Sequence, residues 1–246
     1  MADAKPTPVR QSELRALSEG TLHEVSARVF NGTDFTAAEL GGVTFDGCDF
    51  LDVRFRRAEL TEARFHRCAF FRAEPAASCD FSFANLRDAA FERCDLTTAV
   101  MQKVRAFGLT MEGCVAGGID FSGADFTLGR AGAEGLASAT FNGCNMPWAD
   151  FTGVTLSDCK LTGCRLMEAI FNQATLKKAD LAGSDICGIE AHGLTLVGAD
   201  LRGTTFNSLD VRVTDLTGVR LRPEQALMLL TPLGIEIDVD DGDDLA

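Results

Sequence analysis

Large apolar residues recur at every fifth position over most of this 246-residue chain. The pattern is clearest between residues 144 and 221, with an interruption at Ala191. The centre residues of these repeats are Met146, Phe151, Leu156, Leu161, Leu166, Phe171, Leu176, Leu181, Ile186, Leu196, Leu201, Phe206, Val211, Leu216 and Leu221. Small residues stand two positions before most centres. A period of five fits neither a helix nor a flat strand, and a fixed period predicts a repeat architecture.

A chain with this period must turn a corner once per repeat. If the centre and the residue two before it point inward, four repeats close a square coil of about 20 residues, and coils stack about 4.8 Å apart. Each coil then buries its apolar face only against its neighbours. Glycines two positions after the centre, such as Gly153 and Gly163, suit a tight corner.

The repeated unit resembles the A(D/N)LXX motif of the pentapeptide-repeat family. The segments that carry the resemblance are Ala149-Asp150-Phe151, Ala179-Asp180-Leu181 and Ala199-Asp200-Leu201. The resemblance implies an all-β fold, the right-handed quadrilateral β-helix, over residues 23–221. Earlier centres run from Phe30 at the same spacing.

Two segments interrupt the repeat. The first, 71–78, shifts the frame by one residue and contains Pro75, which predicts a loop. The second, 127–138, preserves the frame, and we interpret it as either an extruded loop, favoured by its glycines, or a degenerate coil. Loops on a rigid scaffold often carry function. The candidate contact residues are Arg72, Glu74 and Pro75 in the first segment, and Leu128, Arg130, Glu134 and Leu136 in the second.

The two ends lie outside the repeat. Residues 1–22 contain a short helical pattern that either caps the first coil or is disordered. Residues 222–239 predict a helix followed by a cap strand at 233–239, because an open β-helix end must be covered. The apolar residues of that helix predict a homodimer interface and are Leu227, Met228, Leu229 and Leu230. The acidic tail, 240–246, is expected to be disordered.

The formal net charge of −13 argues against direct binding to nucleic acid or an anionic membrane and favours a basic partner. No apolar run approaches the ~20 residues of a membrane span. The N-terminus lacks a signal-peptide pattern, which predicts a cytoplasmic protein.

No pattern in the chain indicates catalysis, a metal or a cofactor. Eight of the nine cysteines lie two positions before a centre, which predicts buried, reduced thiols. The three histidines are scattered, and no nucleophile elbow, P-loop or dinucleotide fingerprint appears. Trp148 lies two positions after a centre and should be exposed. It is a candidate contact anchor, unless it packs on a loop or on the terminal helix.

Outward carboxylates suggest a binding face. Multiples of 20 place Asp80, Asp120, Asp180 and Asp200 in one column, interrupted by Lys160 and Arg220, and place Asp125 and Asp185 on the next side. Such a rod could mimic duplex DNA, which carries one charge per ~1.7 Å of axis. Alternatively, each Asp supports a local backbone turn.

Further features resemble the Qnr-type quinolone-resistance proteins within this family. These are the two interruptions, the segment Phe81–Phe91, and Pro232-Leu233-Gly234-Ile235 after a helix with Glu224-Gln225. The resemblance implies a non-enzymatic bacterial protein that binds DNA gyrase or topoisomerase IV and protects it from quinolones or natural-product poisons. The alternatives are an interaction scaffold with an unrelated partner and, third, an enzyme.

Overall fold

The computed structural model describes residues 6–73, 76–129, 136–207, 209–230 and 233–235. The chain winds into coils, and each coil pairs in parallel with the next at a register of 20 residues, as Val25 pairs with Phe45. Parallel bridges recur every five residues around each coil. The predicted fold class, an all-β right-handed quadrilateral β-helix with a short C-terminal helix, is confirmed.

Each coil has four sides, which we name from residues 43–62. Face 1 is centred on Phe45, face 2 on Phe50, face 3 on Phe55 and face 4 on Leu60. Face 1 carries the longest sheet of the described residues, in which seven strands pair in parallel. The strands are β1 (Thr7–Pro8), β2 (Glu24–Ser26), β3 (Arg28–Asn31), β4 (Thr44–Asp46), β5 (Asp49–Leu51), β6 (Arg64–His66), β7 (Phe71–Arg72), β8 (Ala77–Ser78), β9 (Ala90–Glu92), β10 (Leu109–Glu112), β11 (Thr127–Leu128), β12 (Leu136–Ala137), β13 (Ala139–Asn142) and β14 (Lys160–Thr162). The helices are α1 (Gln11–Ser18) and α2 (Pro223–Leu230).

Phenylalanine rings fill the coils of the N-terminal half. The ring of Phe50 lies 4.9 Å from that of Phe30 and 4.8 Å from that of Phe70, nearly parallel to both. All three side chains are fully buried. Stacking of this kind stabilises the pair beyond the burial of its apolar area, so the centre column is a continuous apolar core.

The residue two positions after each centre turns the corner in the left-handed region. Gly143 has φ +59° and Gly163 has φ +62°, which cost glycine nothing. Other side chains adopt the same conformation at equivalent corners, including Lys178 at φ +56°. The fold therefore demands a positive φ at this position whatever residue occupies it.

The first interruption is a hairpin. Strands β7 and β8 pair antiparallel, and beyond them Arg54 pairs with Asp80, 26 positions away instead of 20. Six extra residues thus leave the coil at the corner between faces 2 and 3. Glu74 and Pro75 lie outside the described residues.

The second interruption is also an extruded hairpin, so the degenerate-coil alternative is wrong. Strands β11 and β12 pair antiparallel. Val115 pairs with Asn145, 30 positions away instead of 20. Ten residues therefore leave the coil between faces 4 and 1. Residues 130–135, including Arg130 and Glu134, lie outside the described part of the chain.

The N-terminal segment covers the first coil. Strand β1 pairs in parallel with β3, and Leu17 of α1 is fully buried in the common core. Glu13 accepts a hydrogen bond of 2.9 Å from Arg28, which ties the helix to the coil. Of the two outcomes that the sequence left open, residues 6–22 follow the capping one.

Helix α2 follows the last coil, but the predicted cap strand does not begin at Leu233. Residues 233–235 form a turn, and Gly234 has φ +73°, which an extended strand does not contain. The expectation of a strand from 233 is wrong for these residues. Residues 236–239 and the tail 240–246 lie outside the described residues.

Candidate functional site

The outward aspartates do not form the column that the sequence predicted. Asp80 pairs with Val100, which pairs with Asp120, on face 3. Asp180 pairs with Asp200 on face 1, which is the opposite side of the square. The prediction of one column for these four residues is wrong.

The second hairpin explains the error. Multiples of 20 locate a column only while every residue belongs to a coil, and ten residues here leave it. Every residue after the hairpin is therefore displaced by two faces from its expected position. For the same reason Asp125 lies on face 4 with Arg105, whereas Asp185 lies on face 2 with Arg165, so the predicted pairing of these two is also wrong.

Face 3 carries the longest series of acidic positions in register. Its acidic members are Asp34, Asp80, Asp120, Asp150 and Glu190, with Arg54, Val100 and Ile170 between them. The sequence analysis missed Asp34, Asp150 and Glu190 as members. Excluding ten residues of the glycine-rich segment from the count would have found the last two.

One carboxylate oxygen of most repeat aspartates supports a turn. Oδ1 of Asp120 accepts a hydrogen bond of 2.8 Å from the backbone N–H of Ser122, and Oδ1 of Asp150 does the same with Thr152. Asp180 and Asp185 make the same contact at 3.0 and 3.1 Å. The local turn role that the sequence left open is therefore present at these positions.

The second oxygen differs from one aspartate to another. Oδ2 of Asp80 binds Arg56 at 2.8 Å, and Oδ2 of Asp120 accepts from Gln102 at 2.6 Å. Partial burial works to raise the pKa of Asp80, but hydrogen bonds from Ser82 and Arg56 outweigh it and the pKa is lowered. Oδ2 of Asp150 has no partner among the described residues, so it faces solvent as an unpaired charge.

Face 1 is neutralised at its C-terminal end. Asp200 lies 2.7 Å from Arg202 and 3.1 Å from Arg220. The hydrogen bond from Arg202 and the charge of Arg220 lower the pKa of Asp200. Two arginines thus offset the negative charge of Asp200. Lys160 lies next to Asp180 on the preceding coil. Face 3 is therefore the better candidate for an acidic contact surface.

The hairpins place part of the predicted loop residues at the surface. Leu128 and Leu136 stand opposite each other across β11 and β12, with exposed fractions of 49% and 64%. Arg72 is half-buried in β7. The two hairpins leave diagonally opposite corners, so they do not form one continuous surface with each other.

The apolar residues of α2 divide between the core and the surface. Leu229 is buried in the main core, so its assignment to a dimer contact is wrong for this side chain. Leu227 and Met228 are exposed, and Leu230 is half-buried.

Gln225, which the sequence marked only as part of the C-terminal Qnr-type signature, attaches α2 to the last coil. Its buried amide donates to the carbonyls of Leu201 and Thr204, both at 2.8 Å. Its Oε1 accepts from the N–H groups of Gly203 and Arg222.

Among the described residues, no group of His, Cys, Asp and Glu side chains could hold a metal ion. Nor does that part of the chain contain a helix long and apolar enough to cross a membrane.

Comparison with known proteins identifies the family. A profile described as pentapeptide repeats matches residues 38–73, 78–106, 136–166 and 156–189. The full-length structure of QnrB1, a plasmid-mediated fluoroquinolone resistance protein, superposes with a TM-score of 0.81 at 31% identity, covering 86% of this chain and all of that one. The chain belongs to the pentapeptide-repeat family.

Curated relatives of the Qnr type agree with this assignment. Quinolone resistance pentapeptide repeat protein QnrB96 of Scandinavium goeteborgense is 34% identical over 126 residues, as is pentapeptide repeat protein QnrB4 of Escherichia coli. Each match covers 51% of this chain, which spans about half the length of these relatives, 56% of each. The resemblance to Qnr-type pentapeptide-repeat proteins that the sequence indicated is confirmed.

Each gap in the match to the pentapeptide-repeat profile overlaps one hairpin. The matched segments stop at residues 73 and 106 and resume at 78 and 136. The first gap falls within the first hairpin, whereas the second gap contains residues 107–126 of regular coil as well as most of the second hairpin.

Proposed function

We propose that this protein is a non-enzymatic bacterial factor that binds DNA gyrase or topoisomerase IV and protects it from quinolones or natural-product poisons. The observation that carries the proposal is the match to QnrB1 along that protein's whole length. QnrB1 is a plasmid-mediated fluoroquinolone resistance protein. Because these enzymes act on the chromosome, the proposal places the protein in the cytoplasm.

We further propose that face 3 contacts the enzyme as a partial mimic of DNA. Asp120, Asp150 and Glu190 lie in one column beyond the first hairpin, and the chain carries a net charge of −13. Carboxylates along a rigid rod present a row of negative charges, as the phosphates of DNA do, and therefore suit a basic DNA-binding surface. Arg54 and Arg56 make the N-terminal part of the face mixed in charge, so the C-terminal part is the acidic half.

The hairpins and the C-terminal helix complete the proposed contacts. Leu128 and Leu136 offer an exposed apolar pair at the second hairpin. At the end of the rod, Leu227 and Met228 are the exposed residues through which two copies would pair as a homodimer.

The test is a gyrase supercoiling assay in which the purified protein is titrated with and without ciprofloxacin. Rescue of supercoiling at low protein concentration is the expected result. Inhibition without rescue would keep gyrase as the partner but make quinolone protection wrong. No effect on gyrase or topoisomerase IV would overturn the proposal and favour a scaffold with an unrelated partner.

A further inference from the structure

Trp148 lies at a position where a tryptophan side chain adds little to the stability of the fold. It stands at a corner between faces 2 and 3, its φ is +58°, and 60% of its side chain is exposed. A bulky residue in the left-handed region is strained, and an exposed ring recovers little of that strain through burial. Glycine occupies the corner directly below, Gly118, at φ +66°. Folding therefore does not account for a tryptophan here.

A second exposed aromatic ring of this chain is covered by cations of the chain itself. Phe83, at an equivalent corner with φ +64°, has cations of its own chain over its face. The guanidinium of Arg57 and the ammonium of Lys103 lie 5.8 and 5.7 Å from its ring centre. Among the described residues, no cation stacks on Trp148. Its indole Nε1 instead donates a hydrogen bond of 2.9 Å to Glu168.

Apolar residues surround Trp148 on face 2. Pro147 precedes it, Met167 lies one coil above, and Val115, which is 46% exposed, lies on the coil below. Gly117 leaves the space beside the Pro147 ring open, since a Cβ there would stand 3.6 Å from Cγ of that ring. We name Val115, Pro147, Trp148 and Met167 the Trp148 patch.

The rim of the Trp148 patch is acidic. Asp150 and Asp120 stand across the corner on face 3, while Asp95 and Asp185 stand below and above on face 2. With Glu168 they make five carboxylates around the patch, against one cation, Arg165, on the same face. An acidic rim disfavours nucleic acid and also a second copy of the same patch.

We propose that the Trp148 patch binds an arginine- or lysine-bearing segment of a protein partner. The cation stacks on the indole face, which is the best aromatic acceptor of a cation, and pairs with Glu168. Apolar residues of the same segment cover Pro147 and Met167. The identity of the partner as a topoisomerase rests on the proposed function, since a DNA-binding surface is rich in such cations. The chemistry of the bound segment, a cation next to apolar residues, does not depend on the proposed function.

The chain provides its own reporter for this proposal. Trp148 is the only tryptophan, and the chain has no tyrosine. The protein is labelled with 5-fluorotryptophan, and its single ¹⁹F resonance is followed while purified DNA gyrase or topoisomerase IV is added. Fluorescence of the unlabelled protein is followed separately with a peptide of alternating Arg and Leu, and with a Glu–Leu peptide of equal length.

The matched variants are Trp148→Ala and Phe83→Ala, which remove exposed aromatics from equivalent corners. We expect Trp148→Ala to weaken enzyme binding by about 30-fold or more, as for a central interface residue, and Phe83→Ala to change it by less than about threefold. Glu168→Gln keeps the hydrogen-bond acceptor but removes the charge, so binding should lose part of its salt dependence. Thermal unfolding confirms that each variant is folded.

The outcomes separate this inference from the proposed function. If the wild type binds an enzyme and Trp148→Ala binds as tightly, the patch proposal is overturned while the proposed function stands. If the wild type binds neither enzyme, the proposed function fails, and the peptides decide the patch. A blue shift of the emission with the Arg–Leu peptide alone supports it, and an unchanged emission, or the same shift with Glu–Leu, overturns it.

Discussion

Six cysteines stand in one column inside the β-helix, one on each successive coil. They are Cys48, Cys68, Cys94, Cys114, Cys144 and Cys164. Each thiol donates a hydrogen bond to a carbonyl of the preceding coil, as Cys114 does to Phe91 at 3.4 Å. Ser184 continues the column and donates in the same way to Leu161. This column therefore accommodates a small side chain that can donate one hydrogen bond.

Exchange of thiol and hydroxyl within this column should be tolerated, whereas a larger side chain should not. We expect Cys114→Ser to lower the free energy of unfolding by about 1 kcal/mol, since the donor is kept. Cys114→Leu should lower it by about 1–3 kcal/mol because the site is fully packed. Urea denaturation measures both, with Ser184→Cys as the reverse exchange. Equal losses for Ser and Leu would contradict the donor requirement.

The buried thiols also determine the alkaline stability of the chain. Burial raises the pKa of Cys79 to about 12 and that of Cys159 to about 11. Below pH 9 the thiols of Cys79 and Cys159 are protonated in both the folded and the unfolded state. As the pH rises from 9 towards these values, only the unfolded state loses them, so stability falls by up to about 1.4 kcal/mol per pH unit for each thiol.

We therefore expect the urea midpoint to decrease between pH 9 and 11. The urea midpoint of the variant Cys79→Ala should decrease less steeply than that of the wild type, and the absence of tyrosine removes one class of side chain that would titrate there. Identical slopes for the two proteins would show that Cys79 does not carry this dependence.

At the scale of elements, the second hairpin is separable from the coil. Removing residues 128–137 takes out ten positions and leaves Thr127, which forms a turn with Asp125, followed by Ser138 at the corner. The next coil then starts at Ala139, in frame. We expect the free energy of unfolding to stay within about 1–2 kcal/mol, since surface insertions contribute little to the core.

Protection of gyrase should nevertheless be lost if the hairpin makes a productive contact. The matched control removes nine residues, 128–136, which shifts every following side chain by one position and should prevent folding. Full protection by the folded ten-residue deletion would exclude a role for the hairpin in the proposed function.

Helix α2 is attached to the last coil through Gln225. Its buried amide makes hydrogen bonds to Leu201 and Thr204, and no apolar side chain can replace them. We expect Gln225→Leu to destabilise the last coil by about 2–3 kcal/mol. Amide exchange should then accelerate around residues 201–206 while it stays unchanged around Phe45. Unchanged exchange at both places would refute the anchoring role.

The period of five predicted the coils, their centres and their buried cysteines, because each repeat takes the same position relative to the repeats one coil away. The register beyond the second hairpin depends on whether ten residues belong to a coil, and the sequence frame is the same in both cases. Asp180 and Asp200 were therefore placed on the wrong face. Leu229 was misjudged, and the contacts of Gln225 were not predicted, because α2 lies outside the repeat and its contacts with the last coil follow no period.

At the scale of the whole molecule, the hairpins decide which charges share a face. A solenoid contacts only its neighbouring coils, so extruding ten residues preserves every local contact while it turns the rest of the chain by half a coil. This rotation brings Asp150 and Glu190 into line with Asp120 on face 3. The same rotation places Asp180 and Asp200 on face 1, opposite Asp80 and Asp120.

The acidic half of face 3 can be tested as a unit. The triple variant Asp120→Asn, Asp150→Asn and Glu190→Gln removes three charges, and asparagine keeps the turn contacts of the two aspartates. If each charge contributes about 0.5 kcal/mol to binding, gyrase affinity at low salt should fall by about tenfold. The dependence of affinity on salt should become weaker as well.

A second triple variant distinguishes binding through face 3 from long-range attraction by the net charge of the protein. Glu39→Gln, Asp158→Asn and Asp180→Asn remove the same number of charges from faces 4 and 1 and from the corner between them. If long-range attraction by the whole acidic rod were sufficient, both variants would lose the same affinity. If face 3 lies against the basic surface, only the first loses tenfold, because charges facing away from the partner are screened over about 10 Å. Surface plasmon resonance against immobilised gyrase at two salt concentrations distinguishes the two cases.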